Sequence, residues 1–312
     1  MKKISIIKPH VHKGELSFQL YMYEEWKKKG VAYKEYNSIP ILFLPLINRL
    51  FFPSFRINNK EARVFFVGGG SLRWGCWPDY MFCEIVPIIW DCWPIYYNSA
   101  FKFIEKYNIR TMIFTSSQTA KVMQEKYPDR NILSITEGIN VSLYDEGKVL
   151  KERQIDLLEF GRSNWKVQNL DISKIGYVHV KSTPSNRAFL TEKDFVAGLA
   201  NSKVTLSFPR SITHPEIAGG VETLTQRYWE NMLSRVLMVG KAPKELVDLI
   251  GYNPVIDIDE SDTKNQLLSI ISHIENYQGL VDKNRETALR FSPWGSRIDE
   301  ITRFLYNHGY TF

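Results

Sequence analysis

Cysteine is nearly absent. Cys76, Cys83 and Cys92 are the only three in 312 residues, they form no C-x-x-C pair, and one is left over however they are matched. A disulfide scaffold is thereby excluded, a structural zinc site is not expected, and a reduced cytoplasm is the expected compartment. The sequence also lacks an uninterrupted apolar run of the roughly 20 residues that a spanning helix needs. The start, MKKISIIKPH, has an apolar run of only four residues, too short for a signal peptide, and reads as a first buried strand. No internal repeat is visible. With 44% hydrophobic and 24% charged residues, disorder and collagen are out, and the chain can bury one large core or two modest ones. The formal charge of +6 and pI near 9.0 favour acidic partners: nucleic acid, phosphorylated small molecules or anionic lipid. Charge by itself does not choose among them.

Short apolar runs alternate with stretches of helical period. Strands are expected near Ile4–Ile7, Val31–Tyr36, Arg63–Val67, Val86–Trp90, Met112–Thr115 and Ile132–Ile135, with helices near Leu16–Lys29, Tyr97–Tyr107 and Thr119–Lys126. A polar stretch, Asn140–Arg153, interrupts this series. A second follows, with strands near Ile155–Phe160, Tyr177–Val180, Val204–Phe208, Arg235–Val239 and Pro254–Ile258, and helices near Glu192–Ala200, Glu222–Leu233 and Lys244–Ile250. Amphipathic patterns over Lys264–Tyr277 and Trp294–Tyr306 close the chain. Such alternation predicts two α/β units built on parallel sheets.

The most apolar segment, Ile39–Ile57, is broken by Pro40, Pro45, Pro53 and Arg49. Two readings stand open. Phe43, Leu44, Leu50, Phe51 and Phe52 could dip into a membrane surface while Arg49, Arg56 and Lys60 meet anionic head groups, or the segment packs beneath the sheet.

The chemistry concentrates in the second series. After the strand KVTLSF, the run HPEIAGGVETLTQRYWENMLSRVLMVG passes Gly219 and Gly220 into a predicted helix. Backbone N–H groups at a glycine loop, with the helix dipole behind them, suit an anion such as a diphosphate. Glu222 and Glu230 are eight residues apart, which on one helix means about 12 Å of rise and roughly 80° of rotation. The two carboxylates would then reach different parts of one extended ligand, the layout of a nucleotide-sugar with its separate hydroxyl groups. Upstream, the strand IDLLEF leads into Gly161-Arg162-Ser163-Asn164-Trp165-Lys166, placing two cations at a strand's carboxyl end, where open α/β sheets bind ligands. They can neutralise a diphosphate leaving group without a metal.

A strand followed by G-R-x-x-x-K, then a helix with Glu-x7-Glu, then a strand, resembles the C-terminal domain of GT-B glycosyltransferases, particularly glycosyltransferase family 4 and its CgeB-like relatives. The resemblance implies two Rossmann-like parallel-sheet domains facing a cleft: residues 1–150 on the acceptor side, 151–293 binding the nucleotide-sugar, and a 294–312 helix crossing back to the first domain. It implies that Arg162 and Lys166 bind the donor diphosphate, that Glu230 holds the ribose, and that Glu222 lies beside the donor sugar. Gly161, Gly219, Gly220, Val221, Thr223, Leu224 and Thr225 would complete the donor site. Thr223, Leu224 and Thr225 replace the family's glycine-rich run. TQRYWE is similar to the CgeB-like R-x-x-E helix and adds Arg227 as a phosphate or ribose contact. KPHVHKGELSFQLYMYEEWKKKG resembles the family's first strand, loop and helix, so His12, Lys13 and Gly14 are acceptor-side candidates. VPIIWDCWP is similar to its H-D-x-x-P turn, with Trp90 where histidine is common, and Glu137-Gly138-Ile139-Asn140 stands at its N-G-V-D exit.

The implied activity is transfer of a sugar from a UDP-, GDP- or dTDP-sugar to a saccharide or lipid-linked saccharide, retaining and metal-independent. Bacterial capsule or lipopolysaccharide synthesis, at the inner face of the cytoplasmic membrane, is the implied setting. A nucleotide-sugar 2-epimerase and a non-catalytic saccharide-binding or membrane-scaffold protein are alternatives on the same architecture. Other classes fit worse. Gly68, Gly69 and Gly70 follow a strand, but Arg73 stands where a dinucleotide G-x-G-x-x-G needs its last glycine. His10 and His12 have no third metal-ligating partner nearby. Ser116 and Ser117 lack a G-x-S-x-G frame and read as a helix N-cap. Trp74, Trp77, Trp90 and Trp93, with Tyr80, Tyr96 and Tyr97, form an aromatic group suited to core packing or to sugar stacking. No nucleic-acid module is visible.

Overall fold

The computed structural model describes residues 1–9, 18–35, 60–77, 79–81, 83–161, 170–183 and 186–312, the side chains of Trp74 and Met81 aside. The expectations that rest on Ile39–Ile57, on His10, His12, Lys13 and Gly14, and on Arg162 and Lys166 lie outside the described residues. The chain divides into two units, Met1–Thr136 with Trp294–Phe312, and Glu137–Pro293.

The first unit begins with β1 (Lys2–Ile7), α1 (Phe18–Lys28), β2 (Tyr33–Lys34), β3 (Glu61–Gly68), β4 (Glu84–Trp90), α2 (Tyr97–Lys106), β5 (Thr111–Phe114), α3 (Ser117–Lys126) and β6 (Asn131–Ser134). Every residue of β4 is buried, as in a central parallel strand covered on both faces. Side chains alternate across the sheet. Val64 and Phe66 face a core containing Ile4, Trp26 and Trp294, while Phe65 and Val67 face one containing Ile85, Phe103 and Phe114. Trp90 and Trp93 are both buried. Ser116 caps α3 as expected, its Oγ accepting the Thr119 N–H at 3.3 Å.

The second unit holds β7 (Ile155–Phe160), β8 (His179–Ser182), α4 (Glu192–Ala200), β9 (Ser202–Ser207), α5 (Arg210–Thr213), α6 (Pro215–Ala218), α7 (Gln226–Leu233), β10 (Leu237–Gly240), α8 (Lys244–Ile250), β11 (Val255–Asp257), α9 (Thr263–Ser272) and α10 (Gln278–Phe291). Its strands are all parallel, in the order β11-β10-β9-β7-β8. Because β7 runs first to β8 on one side and then to β9 on the other, the order reverses between β7 and β9. Parallel α/β sheets bind ligands at the carboxyl end of such a reversal. The ends of this unit meet at Ile139, whose N–H donates to the Ser292 carbonyl at 2.8 Å.

Beyond Pro293 the chain rejoins the first unit as α11 (Trp294–Asn307) and β12 (Tyr310–Thr311). Trp294, Ile298, Ile301 and Leu305 recur at helical spacing and enter the core around Ile4 and Trp26. β12 then pairs with β1, giving the order β12-β1-β3-β4-β5-β6 with β2 also on β1. The Tyr310 hydroxyl donates to buried Glu84 at 2.7 Å and lies 2.8 Å from the Thr111 hydroxyl. Among the described residues no helix is long and apolar enough to cross a membrane.

Candidate functional site

At the reversal point β7 ends in Phe160 and hands over to Gly161, whose φ of +69° is open to glycine and costly for other residues. A Cβ there would collide with Nη2 of Arg227. The glycine therefore lets the Arg227 guanidinium pass directly over the end of the strand, where it lies 5.2 Å from the Phe160 ring centroid. Arg227 sits in the first turn of α7, and three residues on is Glu230, on the adjoining part of the helix surface. Glu230 is only 4% exposed and accepts a hydrogen bond from the Tyr144 hydroxyl at 3.1 Å. Burial pushes its carboxyl up from 4.5 to about 7, against the opposing pull of the Tyr144 hydrogen bond and the Arg227 charge, with Glu192 adding a smaller rise. A carboxyl that ionises near neutrality, beside an arginine and at a sheet's carboxyl edge, can change charge when a ligand arrives.

The loop between α6 and α7 corrects the sequence expectation. The helix begins at Gln226, so Glu222 stands in the loop and the rise and rotation expected for a single helix do not apply to the two glutamates. Gly219, at φ +51°, closes α6 instead of opening α7. A Cβ on Gly220 would meet open space. Two buried carboxylates hold the loop extended. Glu245 Oε2 accepts the Thr223 hydroxyl at 2.9 Å and the Leu224 N–H at 2.8 Å, and Glu137 Oε2 accepts the Gln226 N–H at 3.2 Å. Glu137 also takes the Trp229 indole N–H on its backbone carbonyl at 2.9 Å. The first N–H of α7 is thus already bound to a carboxylate, which also complements the helix dipole. Glu222 is half-buried, with its Oε1 3.5 Å from both Lys241 Nζ and Ser211 Oγ. Lys241 follows β10, and its carbonyl accepts the Tyr228 hydroxyl at 2.7 Å.

The structure therefore brings Gly161, Arg227 and Glu230 together and sets Glu222 beside Lys241. No group of three or more His, Cys, Asp or Glu side chains fit to hold a metal occurs among the described residues. Cys92, whose thiol burial pushes up to about 12, and Cys76, pushed higher still, are poor nucleophiles.

No protein-family model matches the sequence, and no curated protein matches it. Solved structures do. Sucrose-phosphate synthase from Thermosynechococcus elongatus matches with a TM-score of 0.62 over 99% of both chains, at 11% identity. Anabaena HepE in complex with UDP-glucose matches at 0.60 over 98% of this chain and 100% of its own, at 12% identity. The UDP-forming α,α-trehalose-phosphate synthase from Burkholderia vietnamiensis matches at 0.58 over 97% of this chain and 96% of its own, at 8% identity. The fold is GT-B.

Within this GT-B chain, sequence reasoning missed Tyr144, Glu245 and Lys241, and it named Glu137 only as part of the 137–140 exit, without its bond to the Gln226 N–H. Glu245 had a local signal, an acidic residue in the first turn of a helix. Its partners lie 21 and 22 residues earlier, however, and only the fold brings them together. Tyr144 lies in the polar stretch that read as a break between the two series.

Proposed function

We propose that the chain is a glycosyltransferase that moves a sugar from a UDP-, GDP- or dTDP-sugar to a saccharide or lipid-linked saccharide acceptor, with retention and without a metal. The observation that carries this reading is the buried pair of Glu230 with Tyr144 beside Arg227, at the reversal point of a GT-B sheet. Among the neighbours of this fold, HepE is seen in complex with UDP-glucose. Kinship to family 4 and the CgeB-like relatives belongs to the same proposal and rests on the G-R-x-x-x-K and R-x-x-E motifs.

In this reading Arg162, Lys166 and Arg227 meet the negative charge that develops on the diphosphate as the sugar's anomeric C–O bond breaks. Gly161 and the 219–225 loop shape the floor beneath it. Glu230 accepts hydroxyl protons of the ribose as a charge-assisted acceptor, and Glu222, steered by Lys241, faces the sugar. His12, Lys13 and Gly14, which follow β1 in sequence, serve the acceptor. The setting is surface-polysaccharide synthesis, and liposome sedimentation decides between the two readings of Ile39–Ile57, contact with an anionic membrane or packing beneath the sheet.

The test is a thermal-shift screen against UDP-, GDP- and dTDP-sugars, since a ligand of the folded state raises the melting temperature. One of these donors is expected to stabilise the wild type, and Arg162→Ala or Lys166→Ala to remove both that shift and transfer while the protein stays folded. A folded wild type indifferent to every donor would overturn the reading. Conversion of the free nucleotide-sugar with no acceptor present would point to an epimerase.

A further inference from the structure

We infer that the side-chain amide of Gln226 is a further donor-recognition group that binds sugar hydroxyls, an inference that rests on the glycosyltransferase reading above. Gln226 opens α7 and is 3% exposed, yet among the described residues neither its Nε2 nor its Oε1 has a hydrogen-bond partner. Its backbone N–H is already bound to Glu137, so helix capping does not explain the side chain. Buried polar groups are almost always paired, because their lost hydration is otherwise not returned. An amide left with both ends open in the free protein is accounted for if the partner arrives with a ligand.

The position says where that ligand is. Glu230 lies four residues further along the same helix, so the two side chains share one face at about 5–6 Å between Cβ atoms. The chemistry says what part of the ligand it is. A carboxamide offers a donor and an acceptor side by side. A diphosphate oxygen would satisfy Nε2 and leave Oε1 stranded, whereas hydroxyls both give and accept. A nucleobase edge also gives and accepts, but the neighbouring Glu230 stands at the ribose in this reading, so the partner class is a sugar hydroxyl pair, from the ribose or from the transferred sugar.

Gln226→Leu tests this, since leucine is close in size and carries no polar atom. The free variant is expected to melt at or above the wild-type temperature, because a desolvated unpaired amide is gone. Its affinity for the preferred nucleotide-sugar should fall about tenfold or more. A merely structural glutamine would move the first readout and leave the second alone. Gln226→Met repeats the experiment if the leucine variant does not fold. Calorimetric titration with UDP, GDP, dTDP and CDP, each alone and as its glucose conjugate, separates the two sources. Loss of affinity for both forms, reproduced in the wild type by the 2′-deoxy nucleotide of the preferred base, assigns the ribose, and loss for the conjugate alone assigns the transferred sugar. Equal affinity of variant and wild type for every ligand that binds would overturn the role of Gln226. A wild type that binds none of these would instead defeat the glycosyltransferase reading itself.

Discussion

Replacing Glu230 by glutamine keeps the shape of the side chain and removes one titration, and both the stability and the binding of the protein should register it. The Glu230 carboxyl is raised from 4.5 to about 7 by burial, so the folded state holds this proton more tightly than the unfolded chain does. Below pH 4.5 both states are protonated and the group costs nothing. As pH rises through the interval the unfolded chain releases its proton first, and above pH 7 the folded state bears the whole penalty, about 3 kcal/mol. In urea unfolding at pH 8 the Glu230→Gln protein should therefore be the more stable by up to that amount, and the gap should close toward pH 4. Binding should run the other way. Ribose hydroxyls donate best to the ionised carboxylate, so arrival of a nucleotide-sugar expels a proton, and wild-type affinity should rise about tenfold per pH unit below 7 and level off above it. The diphosphate diester of the ligand stays ionised throughout and adds no slope of its own. Calorimetry from pH 5.5 to 8.5, repeated in buffers of different ionisation enthalpy, reads both affinity and proton release. Identical pH profiles for wild type and Glu230→Gln, or a stability gap independent of pH, would refute the reasoning.

Gly161→Ala should cost about 1–2 kcal/mol in urea unfolding from left-handed backbone strain, and by displacing Arg227 should weaken nucleotide-sugar binding severalfold; unchanged affinity would separate Arg227 from the diphosphate. Glu245→Ala leaves the Thr223 hydroxyl and the Leu224 N–H buried without their acceptor, a loss of about 2–3 kcal/mol measurable as a lowered urea midpoint, with Glu245→Gln recovering part of it. Tyr310→Phe removes the hydroxyl that donates to Glu84 and should lower stability by about 1–2 kcal/mol. Faster hydrogen exchange at β12 and β1, and not in the second unit, would accompany it.

How much of this was legible beforehand depended on the range of the interaction concerned. Elements fixed by local patterns came through closely: Glu192–Ala200 and Lys244–Ile250 are helices with the expected bounds, and Ile155–Phe160 is a strand from end to end. Two α/β units on parallel sheets follow from the alternation of short apolar runs with helical ones, and the structure has them. The start of α7 did not come through. Val221–Thr225 carries no proline, and the residues after it have a helical pattern, but Glu245 and Glu137 pull that stretch out of the helix from positions far away in sequence. The helix over Gln278–Phe291 is absent from the sequence reading because its middle, Asp282–Thr287, is an unbroken polar run with no apolar period to declare it. β12 is only two residues long, too short for any period to declare it. At the site, Glu230 and Arg227 were visible as a motif, while the partner that fixes Glu230, Tyr144, lies 86 residues away. Gln226 carried no sequence signal, because what marks it is burial without a partner.

The central claim is that the second unit grips a nucleotide-sugar at the carboxyl edge of its sheet. A crystal soaked with the donor selected by the thermal screen measures this most directly. The account predicts density for the two phosphates over Gly161 within reach of Arg227, and ribose oxygens within hydrogen-bond distance of Glu230. Ordered nucleotide bound elsewhere, or a crystal saturated with donor in which Glu230 keeps its bond to Tyr144 and meets no ligand oxygen, would contradict it.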